Sequence, residues 1–280
     1  MHSHFSHTDS VTPFGVLFIA AVITNWWLAR RSAPALEIDP SHVDLLLPLM
    51  IVGGIAGGTL LALLPPQDQQ LAGAGLAVNI RLRLFGIVLS GAVVMFIYSR
   101  INGLSFRSLL DTFALPTLAA IAVHRLGCFY AGCCWGDLSV AASGLPGLAT
   151  ANVATQMQTL PWLAGDWIFW AAQYAPGTWP YEQQLAVGLI ASDAVRSLPV
   201  HPVQLYEVGM LVVAYLLLCR VPLGRQRPGT VAAAVTMAYA AGRFVLEYLR
   251  ADGVIVAGNL TLVQLQCMLL VVVAAIAVAY

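Results

Sequence analysis

Long apolar stretches alternate with short polar segments along the whole chain. A helix that crosses a hydrocarbon core of about 30 Å needs about 20 mostly apolar residues. Stretches of roughly that length predict transmembrane helices at 13–29, 43–64, 84–99, 109–131, 203–219, 229–249 and 260–280. The apolar residues are continuous rather than alternating with polar ones, which argues against a strand barrel. We therefore predict an all-α polytopic membrane protein with about seven transmembrane helices.

The composition agrees with a membrane protein and disfavours other classes. Of 280 residues, 59% are hydrophobic and only 9% are charged, whereas about a quarter of the residues in a soluble domain are charged. Such a chain has too much apolar surface to remain unfolded in water, which excludes a disordered protein. Thirteen arginines balance thirteen acidic residues, and the chain has no lysine. This neutral balance argues against a nucleic-acid partner.

Arginine residues are unevenly divided between the connecting segments. The segments after the first, third and fifth predicted helices hold Arg30, Arg31, Arg100, Arg107, Arg220, Arg225 and Arg227. Because positive charge is retained on the cytoplasmic side, this distribution predicts an outer N-terminus and a cytoplasmic C-terminus. The long connection 133–200 then lies on the outer face, as part of a single transmembrane domain of residues 1–280.

The connection 133–200 is not a plain hydrophilic loop. Its middle is crowded with aromatic residues: Trp162, Trp167, Phe169, Trp170, Trp179 and Tyr181. Such residues are typical of a segment at the depth of the lipid headgroups. We predict an outer cap here, and two interpretations stay open: a packed cover, or a lid over a lipid site.

Polar residues concentrate at the predicted outer ends of helices four, five and six. The three segments are HRLGCFYAGCCWG (124–136), HPVQLYE (201–207) and GRFVLEYLR (242–250). Ionisable residues inside membrane spans are costly, so they mark function or a structural pair. In the last segment, Arg243, Glu247 and Arg250 are spaced i, i+4 and i+7, which predicts that they share one helical face.

Arginines and glutamates of these segments are thereby predicted at one depth. The set comprises Arg125, Arg243, Arg250, Glu207 and Glu247. One interpretation is a purely structural ion network. The other is an anion site that faces the outer leaflet, because a guanidinium binds phosphate through a rigid planar fork. We favour the anion site, with a phospholipid headgroup as its ligand.

Two further acidic residues, Asp44 and Asp111, lie at the predicted inner ends of helices two and four. A carboxylate at a helix N-terminus accepts hydrogen bonds from unpaired backbone N–H groups. We therefore predict helix capping for both.

The three polar segments, in this order, resemble the signature motifs of the prolipoprotein diacylglyceryl transferase family. HRLGCFYAGCCWG is similar to the family's G-R-x-G-N-F-x-N-G-E-x-x-G, and the matching residues are Arg125, Gly127, Phe129, Gly132 and Gly136. HPVQLYE is similar to H-P-x-Q-L-Y-E almost letter for letter. GRFVLEYLR resembles R-F-x-x-E-x-x-R.

The resemblance implies a multi-pass enzyme of the bacterial inner membrane, with its active site towards the outer leaflet. Such an enzyme moves the diacylglyceryl group of phosphatidylglycerol to the lipobox cysteine thiol of a preprolipoprotein and releases glycerol phosphate. The nucleophile belongs to the substrate, and no cofactor or metal is expected. Residues expected to act in catalysis are Arg125, Arg243, His124 and Glu247. Residues expected to bind substrate are His201, Gln204, Tyr206, Glu207, Arg250 and Gly136.

Phe85 marks a first departure from the family. The family's third span normally begins with S-F-H-G-G, whereas this chain reads RLFGIVLSG, with Phe85 in the place of the histidine. A base is still needed to form the acceptor thiolate. His124, His201, an arginine–glutamate network or a different reaction remain as explanations. The position of His201 before Pro202 favours a role in orienting the fifth helix, and His124 is either the base or a packed neutral histidine.

Cys128, Cys133 and Cys134 mark a second departure, because the first two replace polar residues of the family motif. Structural thiols or a disulfide, 128–133 or 133–134, are the favoured interpretation. A transient covalent or redox role, or a metal site with His124 as fourth ligand, is disfavoured. These departures leave two alternative functions open: transfer to another acceptor, and phospholipid binding without catalysis.

Overall fold

A computed structural model describes residues 12–63, 75–138, 171–250, 255–257 and 260–279. For 75–85 the description covers the backbone alone. Within these residues the chain is mainly helical. The helices are α1 (Pro13–Ser32), α2 (Pro40–Ala62), α3 (Gly75–Ile101), α4 (Phe106–Tyr130), α5 (Trp179–Ala186), α6 (Val203–Leu218), α7 (Thr230–Leu246) and α8 (Leu262–Ala279).

Short 3₁₀ turns and two short strands lie between the helices. Three 3₁₀ turns lie at Ala33–Leu36, Leu223–Arg225 and Glu247–Leu249. Strands β1 (Ile255–Ala257) and β2 (Leu260–Thr261) pair antiparallel, with Ile255 opposite Thr261 and Ala257 opposite Leu260. This hairpin connects the 3₁₀ turn after α7 to α8.

A helix forms at each of the predicted apolar stretches, and α5 is an addition within 133–200. Among the described residues, four helices are long and apolar enough to cross a membrane: Pro13–Leu36, Pro40–Leu61, Phe106–Ala131 and Leu262–Ala279. Gly86–Ile101 and Val203–Leu218 are apolar but shorter. The prediction of a helical membrane protein is confirmed at this level, whereas the number of crossings and their orientation stay predictions.

Large apolar side chains on the helices point away from the protein interior. Val52, Leu60 and Val88 are 66%, 68% and 72% exposed, respectively. Soluble monomers rarely expose large contiguous apolar patches, because burying apolar surface away from water is favourable. These helices are therefore suited to a lipid environment.

Small residues allow α2 and α3 to pack closely. A Cβ atom on Gly54 would lie 3.1 Å from Ile87 Cγ2, and one on Gly53 would lie 2.6 Å from Val94 Cγ2. A Cβ atom on Gly86 of α3 would meet the Gly57 carbonyl at 2.7 Å. The glycines thus hold backbone against backbone, as small residues do in membrane helix pairs.

The chain divides into two compact units, each of which gathers distant parts of the sequence. The first comprises Met1–Ala21, Ala120–Val213 and Tyr239–Leu270, and it contains all three polar segments. The second comprises Val22–Ala119, Ala214–Ala238 and Val271–Tyr280. Residues 139–170, with Trp162, Trp167, Phe169 and Trp170, lie outside the described residues, so the cap prediction is untested.

Asp44 and Asp111, the two residues predicted to cap helices, behave differently from that prediction. Asp39, not Asp44, caps α2, since its side chain accepts a hydrogen bond from the Ser41 N–H at 2.8 Å. Asp44 lies inside the helix, where it accepts a hydrogen bond from Trp26 Nε1 at 2.8 Å and pairs with Arg30. The capping prediction for Asp44 is therefore wrong.

Asp111 does cap a helix, but the helix is not its own. Its two carboxylate oxygens accept hydrogen bonds from the Gly229 and Ala232 N–H groups, both at 2.7 Å, at the start of α7. These N–H groups have no partner within α7, because the first turn of a helix leaves its donors unpaired. The buried carboxylate satisfies them and ties α4 to α7.

Candidate active site

The end of α4 is a glycine-dependent turn. Gly132 has a φ of +63°, its N–H donates to the Phe129 carbonyl at 3.1 Å, and the Cys133 N–H donates to the Cys128 carbonyl at 3.1 Å. These two hydrogen bonds form a Schellman motif, which brings the residue after the glycine against the third-last residue of the helix. The motif therefore places Cys133 against Cys128.

Cys134 completes a cluster of three thiols. Its backbone has a φ of +60°, and the Sγ atoms of Cys128, Cys133 and Cys134 all lie within 4.8 Å of one another. All three are free thiols. Hydrogen bonds from the other two thiols lower the pKa of Cys134, and the charges of Arg250 and Arg125 act in the same direction.

Gly136 lies where the three polar segments meet. Its N–H donates to the His201 carbonyl at 2.9 Å, and the next residue, Asp137, donates to the Leu249 carbonyl at 2.8 Å. A Cβ atom at Gly136 would lie 2.6 Å from the Leu249 carbonyl oxygen and 2.7 Å from His201 Cβ. This crossing leaves no room for a side chain at position 136.

Arg125 of α4 pairs with Glu207 of α6. The Arg125 Nε and Glu207 Oε2 atoms are 2.9 Å apart, and the side chains are 16% and 1% exposed. A carboxylate buried this deeply needs a partner charge. The pair thus joins two of the three predicted segments.

Glu247 is shared by the two other arginines. Its Oε2 lies 2.7 Å from Arg243 Nη1 and 3.9 Å from Arg250 Nε. Its Oε1 accepts a hydrogen bond from Thr261 Oγ1 at 3.0 Å. The three charged side chains are at most 9% exposed, so this network is held in a nearly dry environment.

The predicted common helical face is wrong for Arg250. The α-helix ends at Leu246, Glu247 begins a 3₁₀ turn, and Arg250 has extended backbone. The backbone of Arg250 instead forms a bridge with Gly136. Arg250 still reaches Glu247, because the tighter 3₁₀ turn brings residues three apart onto one line.

Tyr239 is a site residue that sequence reasoning missed. It is hydrogen-bonded to Arg125, and the charges of Glu207, Arg125 and Arg243 all act on its hydroxyl. It lies one helical turn before Arg243, so its position on that face was available from the spacing. Its hydroxyl therefore lies within electrostatic reach of Arg125, Glu207 and Arg243.

Gln204 and His201 support the crossing of the segments. Gln204 Nε2 donates to the Cys133 carbonyl at 2.7 Å and contacts the Tyr174 hydroxyl at 3.4 Å. Tyr174 is a second missed residue, which no motif marks. His201 Nδ1 lies 3.4 Å from the Tyr206 hydroxyl, and burial lowers the pKa of His201. These contacts agree with an orienting role for His201.

His124 packs against aromatic rings of α1. Its ring packs edge-on against Phe14 and Phe18, with centroids 5.6 and 6.0 Å apart. Its Nδ1 atom lies 3.8 Å from Cys128 Sγ, one helical turn on. The side chain of Phe85 lies outside the described part of the chain, because 75–85 is described by backbone alone.

The predicted site residues therefore lie in one compact unit. Both interpretations of the charges are physically consistent with it, since an ion network forms and three guanidinium groups converge on two carboxylates. Roles in catalysis and substrate binding stay predictions.

Comparison with known proteins extends the motif resemblance to nearly the whole chain. A protein-family model described as prolipoprotein diacylglyceryl transferase matches residues 4–280. Similar curated proteins are named phosphatidylglycerol–prolipoprotein diacylglyceryl transferase. The protein of Symbiobacterium thermophilum is 25% identical over 97% of the chain and 88% of its own length. Those of Thermosynechococcus vestitus and Gloeobacter violaceus are 25% and 26% identical, each over 90% of the chain and 81% of its own length.

Proposed function

The chain belongs to the prolipoprotein diacylglyceryl transferase family, and we propose that it moves a diacylglyceryl group from phosphatidylglycerol to the lipobox cysteine thiol of a prolipoprotein. The observation that carries this proposal is the buried group of arginines and glutamates on the three family motifs. Transfer to a different acceptor and lipid binding without catalysis are not favoured, since the similar curated proteins are all named for this transfer.

The reaction has a clear electrostatic requirement. The acceptor sulfur attacks the glyceryl carbon, an S–C bond forms, and the bond from this carbon to the phosphate oxygen breaks with its electron pair on the oxygen. A phosphate diester with one negative charge thereby becomes a monoester with additional charge. Preorganised cations in a water-poor site stabilise such developing charge. Arginine suits this role, because its planar fork binds two phosphate oxygens at once.

We assign headgroup binding to Arg125 first. It is the most exposed of the three arginines, at 16% against 9% for Arg243 and 6% for Arg250. A guanidinium has five N–H donors, so the contacts with Glu207 and Tyr239 leave donors for phosphate oxygens. Glu207 and Tyr239 would fix the plane of the fork and thus the position of the phosphate.

Arg243 and Arg250 would stabilise the leaving glycerol phosphate from the other side. Glu247 holds both through one oxygen and is itself fixed by Thr261. This arrangement costs no reorganisation during the reaction, which is the condition for electrostatic catalysis. His201, Gln204, Tyr206 and Gly136 then act by holding the segments in register.

We further propose the membrane arrangement predicted from the sequence. About seven crossings with an outer N-terminus place the three polar segments towards the outer leaflet of the bacterial inner membrane. Phosphatidylglycerol would enter laterally from this leaflet, and the segment 133–200 would cover the site.

The proposal is tested with purified full-length protein in phosphatidylglycerol liposomes that also contain a lipobox peptide. Mass spectrometry should detect a diacylglyceryl group on the peptide cysteine. Arg125→Ala and Arg243→Ala should each abolish the adduct. Arg220→Ala is the matched control, because Arg220 is exposed, follows the C-terminal end of α6 and belongs to the second compact unit. Unchanged turnover in both site variants would refute the assignment of the arginines.

A further inference from the structure

Deprotonation of the acceptor thiol has not yet been assigned to a group of the described site. A free thiol is mostly protonated near neutral pH, and the thiolate is the nucleophile. The two candidate histidines have structural contacts: His124 packs on Phe14 and Phe18, and His201 lies against Tyr206. A bound metal ion is another way to generate a thiolate, since a coordinating thiol is deprotonated outright.

We propose that Cys128, Cys133 and Cys134 bind a zinc ion, and that the acceptor thiol occupies the fourth position of this ion. The inference rests on the proposed function for the identity of the acceptor, and the metal site itself rests on geometry. It replaces the disulfide or structural role that the sequence favoured.

The three sulfurs have the spacing that such an ion requires. Zinc–sulfur bonds of about 2.3 Å place two sulfurs of a tetrahedral site about 3.8 Å apart. The observed Sγ atoms lie within 4.8 Å of one another. The sulfurs therefore need to move closer by about 1 Å, which rotation of the short side chains can supply. Thiolate ligands select zinc over the harder divalent ions.

The backbone builds the cluster before any metal arrives. Gly132 at positive φ and the two Schellman hydrogen bonds fix Cys133 against Cys128. The positive φ of Cys134 costs energy in a residue with a side chain, and such strain persists only where the surrounding structure enforces it. Gln204 adds a hydrogen bond to the Cys133 carbonyl. The three ligands are therefore preorganised by two separate segments.

We assign the fourth position to an exchangeable ligand, although His124 Nδ1 lies 3.8 Å from Cys128 Sγ. The set of potential ligand atoms that lie within 4.8 Å of one another there consists of the three sulfurs alone. Zinc with three protein ligands and one exchangeable position is the catalytic type of site, whereas structural sites have four protein ligands. Zinc with three thiolates carries one negative charge.

The proposed step balances without a redox partner. The acceptor thiol displaces a zinc-bound water or hydroxide, and its proton leaves with that group. The zinc-bound thiolate then attacks the glyceryl carbon, and glycerol phosphate departs with the electron pair of the broken C–O bond. Zinc does not change its oxidation state. The thioether product is a weaker ligand than the thiolate, so it dissociates and restores the open position.

The first experiment measures metal content. Full-length protein is reduced, stripped with a chelator, incubated with zinc alone and desalted, and the bound metal is quantified by mass spectrometry. We expect one zinc per chain in the wild type, and at most about a tenth of that in Cys133→Ser and Cys134→Ser, because two thiolates bind zinc far more weakly than three. Cys219→Ser is the matched control, since Cys219 is an exposed thiol outside the cluster. Equal zinc content in the cluster variants and the wild type would overturn the proposal, as would a stripped, reduced wild type that binds no zinc.

Cobalt substitution gives a readout that does not depend on variants or on turnover. Cobalt in the wild-type site should show sulfur-to-metal charge-transfer absorption, and addition of the lipobox peptide should raise it by about one third, as a fourth thiolate joins three. A peptide with serine in place of cysteine should leave the spectrum unchanged. If the cysteine peptide also leaves it unchanged, or if His124→Ala lowers zinc content as much as Cys133→Ser, the open position is refuted.

The two proposals fail in different ways. Zinc binding and a peptide-dependent cobalt spectrum without any diacylglyceryl adduct would refute the proposed function and leave the metal site standing. Full transfer by stripped protein in the presence of chelator would refute the metal proposal and leave the function standing.

Discussion

Gly136→Ala is the sharpest test of how the site is assembled. The added Cβ would lie 2.6 Å from the Leu249 carbonyl oxygen, 2.6 Å from Val203 Cγ2 and 2.7 Å from His201 Cβ. Two of these three atoms are backbone or directly attached to it, so rotation of a flexible side chain cannot relieve the contacts. The segments around 136, 201 and 249 must instead move apart, and each carries a predicted functional residue.

The magnitude follows from these contacts. Overpacking costs about 1–3 kcal/mol, and the hydrogen bonds from Gly136 to His201 and from Asp137 to Leu249 contribute about 1 kcal/mol each when both are strained. We therefore expect the free energy of unfolding to fall by about 3–5 kcal/mol. A displacement of Arg250 by about 1 Å should lower the transfer rate about 100-fold.

Two assays and one control check this reasoning. Unfolding in detergent is followed by tryptophan fluorescence, and transfer to the lipobox peptide is measured in liposomes. Gly209→Ala is the matched control, because a Cβ atom at this α6 position meets nothing within 4 Å, and alanine stabilises a helix interior by about 1 kcal/mol. If Gly136→Ala keeps its stability within about 0.5 kcal/mol and its rate within about twofold, the crossing is not the rigid support that the distances indicate.

Four further predictions concern single side chains. Glu207→Ala leaves the Arg125 guanidinium buried without its carboxylate, so denaturant unfolding should show a loss of about 3–5 kcal/mol; a loss below 1 kcal/mol would contradict a dry ion pair. Asp111→Ala strips two backbone N–H groups of their acceptor and should cost about 1–3 kcal/mol, with the transfer rate of the folded fraction unchanged. Because burial lowers the pKa of His201 from its usual 6.5, its stabilising contribution is present above pH 6.5 and is lost as the pH falls below that value; His201→Gln should flatten this part of the stability profile, and an unchanged profile would argue against it. Phe85→Ala should reduce transfer less than Arg125→Ala, since a phenyl ring has no proton to exchange, and the reverse order would mean that Phe85 shapes the lipid pocket.

The sequence predicts which segments carry the site but not how their residues pair. The apolar stretches locate the helices, and the motif segments identify Arg125, Glu207, Arg243 and Glu247. Spacing along a helix reports which residues share a face, yet it contains no information on which helix that face meets. The pairing of Arg125 with Glu207 therefore becomes visible only in the folded structure.

Two predictions from local spacing fail for different reasons. A regular helix through Arg250 is a sound expectation from i, i+4, i+7 spacing, but the backbone bridge to Gly136 ends the helix at Leu246. Asp44 likewise sits at a favourable position for a cap, and a better-placed Asp39 takes that role. A distant backbone segment decides the first outcome, and a neighbouring residue decides the second.

The three cysteines show what chain geometry adds to composition. Their spacing alone is compatible with a disulfide, a metal site or inert thiols. The Schellman turn at Gly132 supplies the missing information, because it fixes which sulfurs face one another. Gly132, which matches the family motif, thus ends α4 and also sets the arrangement of the three sulfurs in this chain.

The carboxylate shared by Arg243 and Arg250 limits how this sequence can change over generations. Loss of Glu247 would leave two buried guanidinium groups facing each other, whereas loss of either arginine would leave Glu247 still paired with the other. The effects of substitutions at these three positions are therefore strongly non-additive. Changes that begin at Glu247 meet a deep fitness valley, while those that begin at an arginine meet a shallower one, so the order of mutations decides which descendants of this chain are reachable.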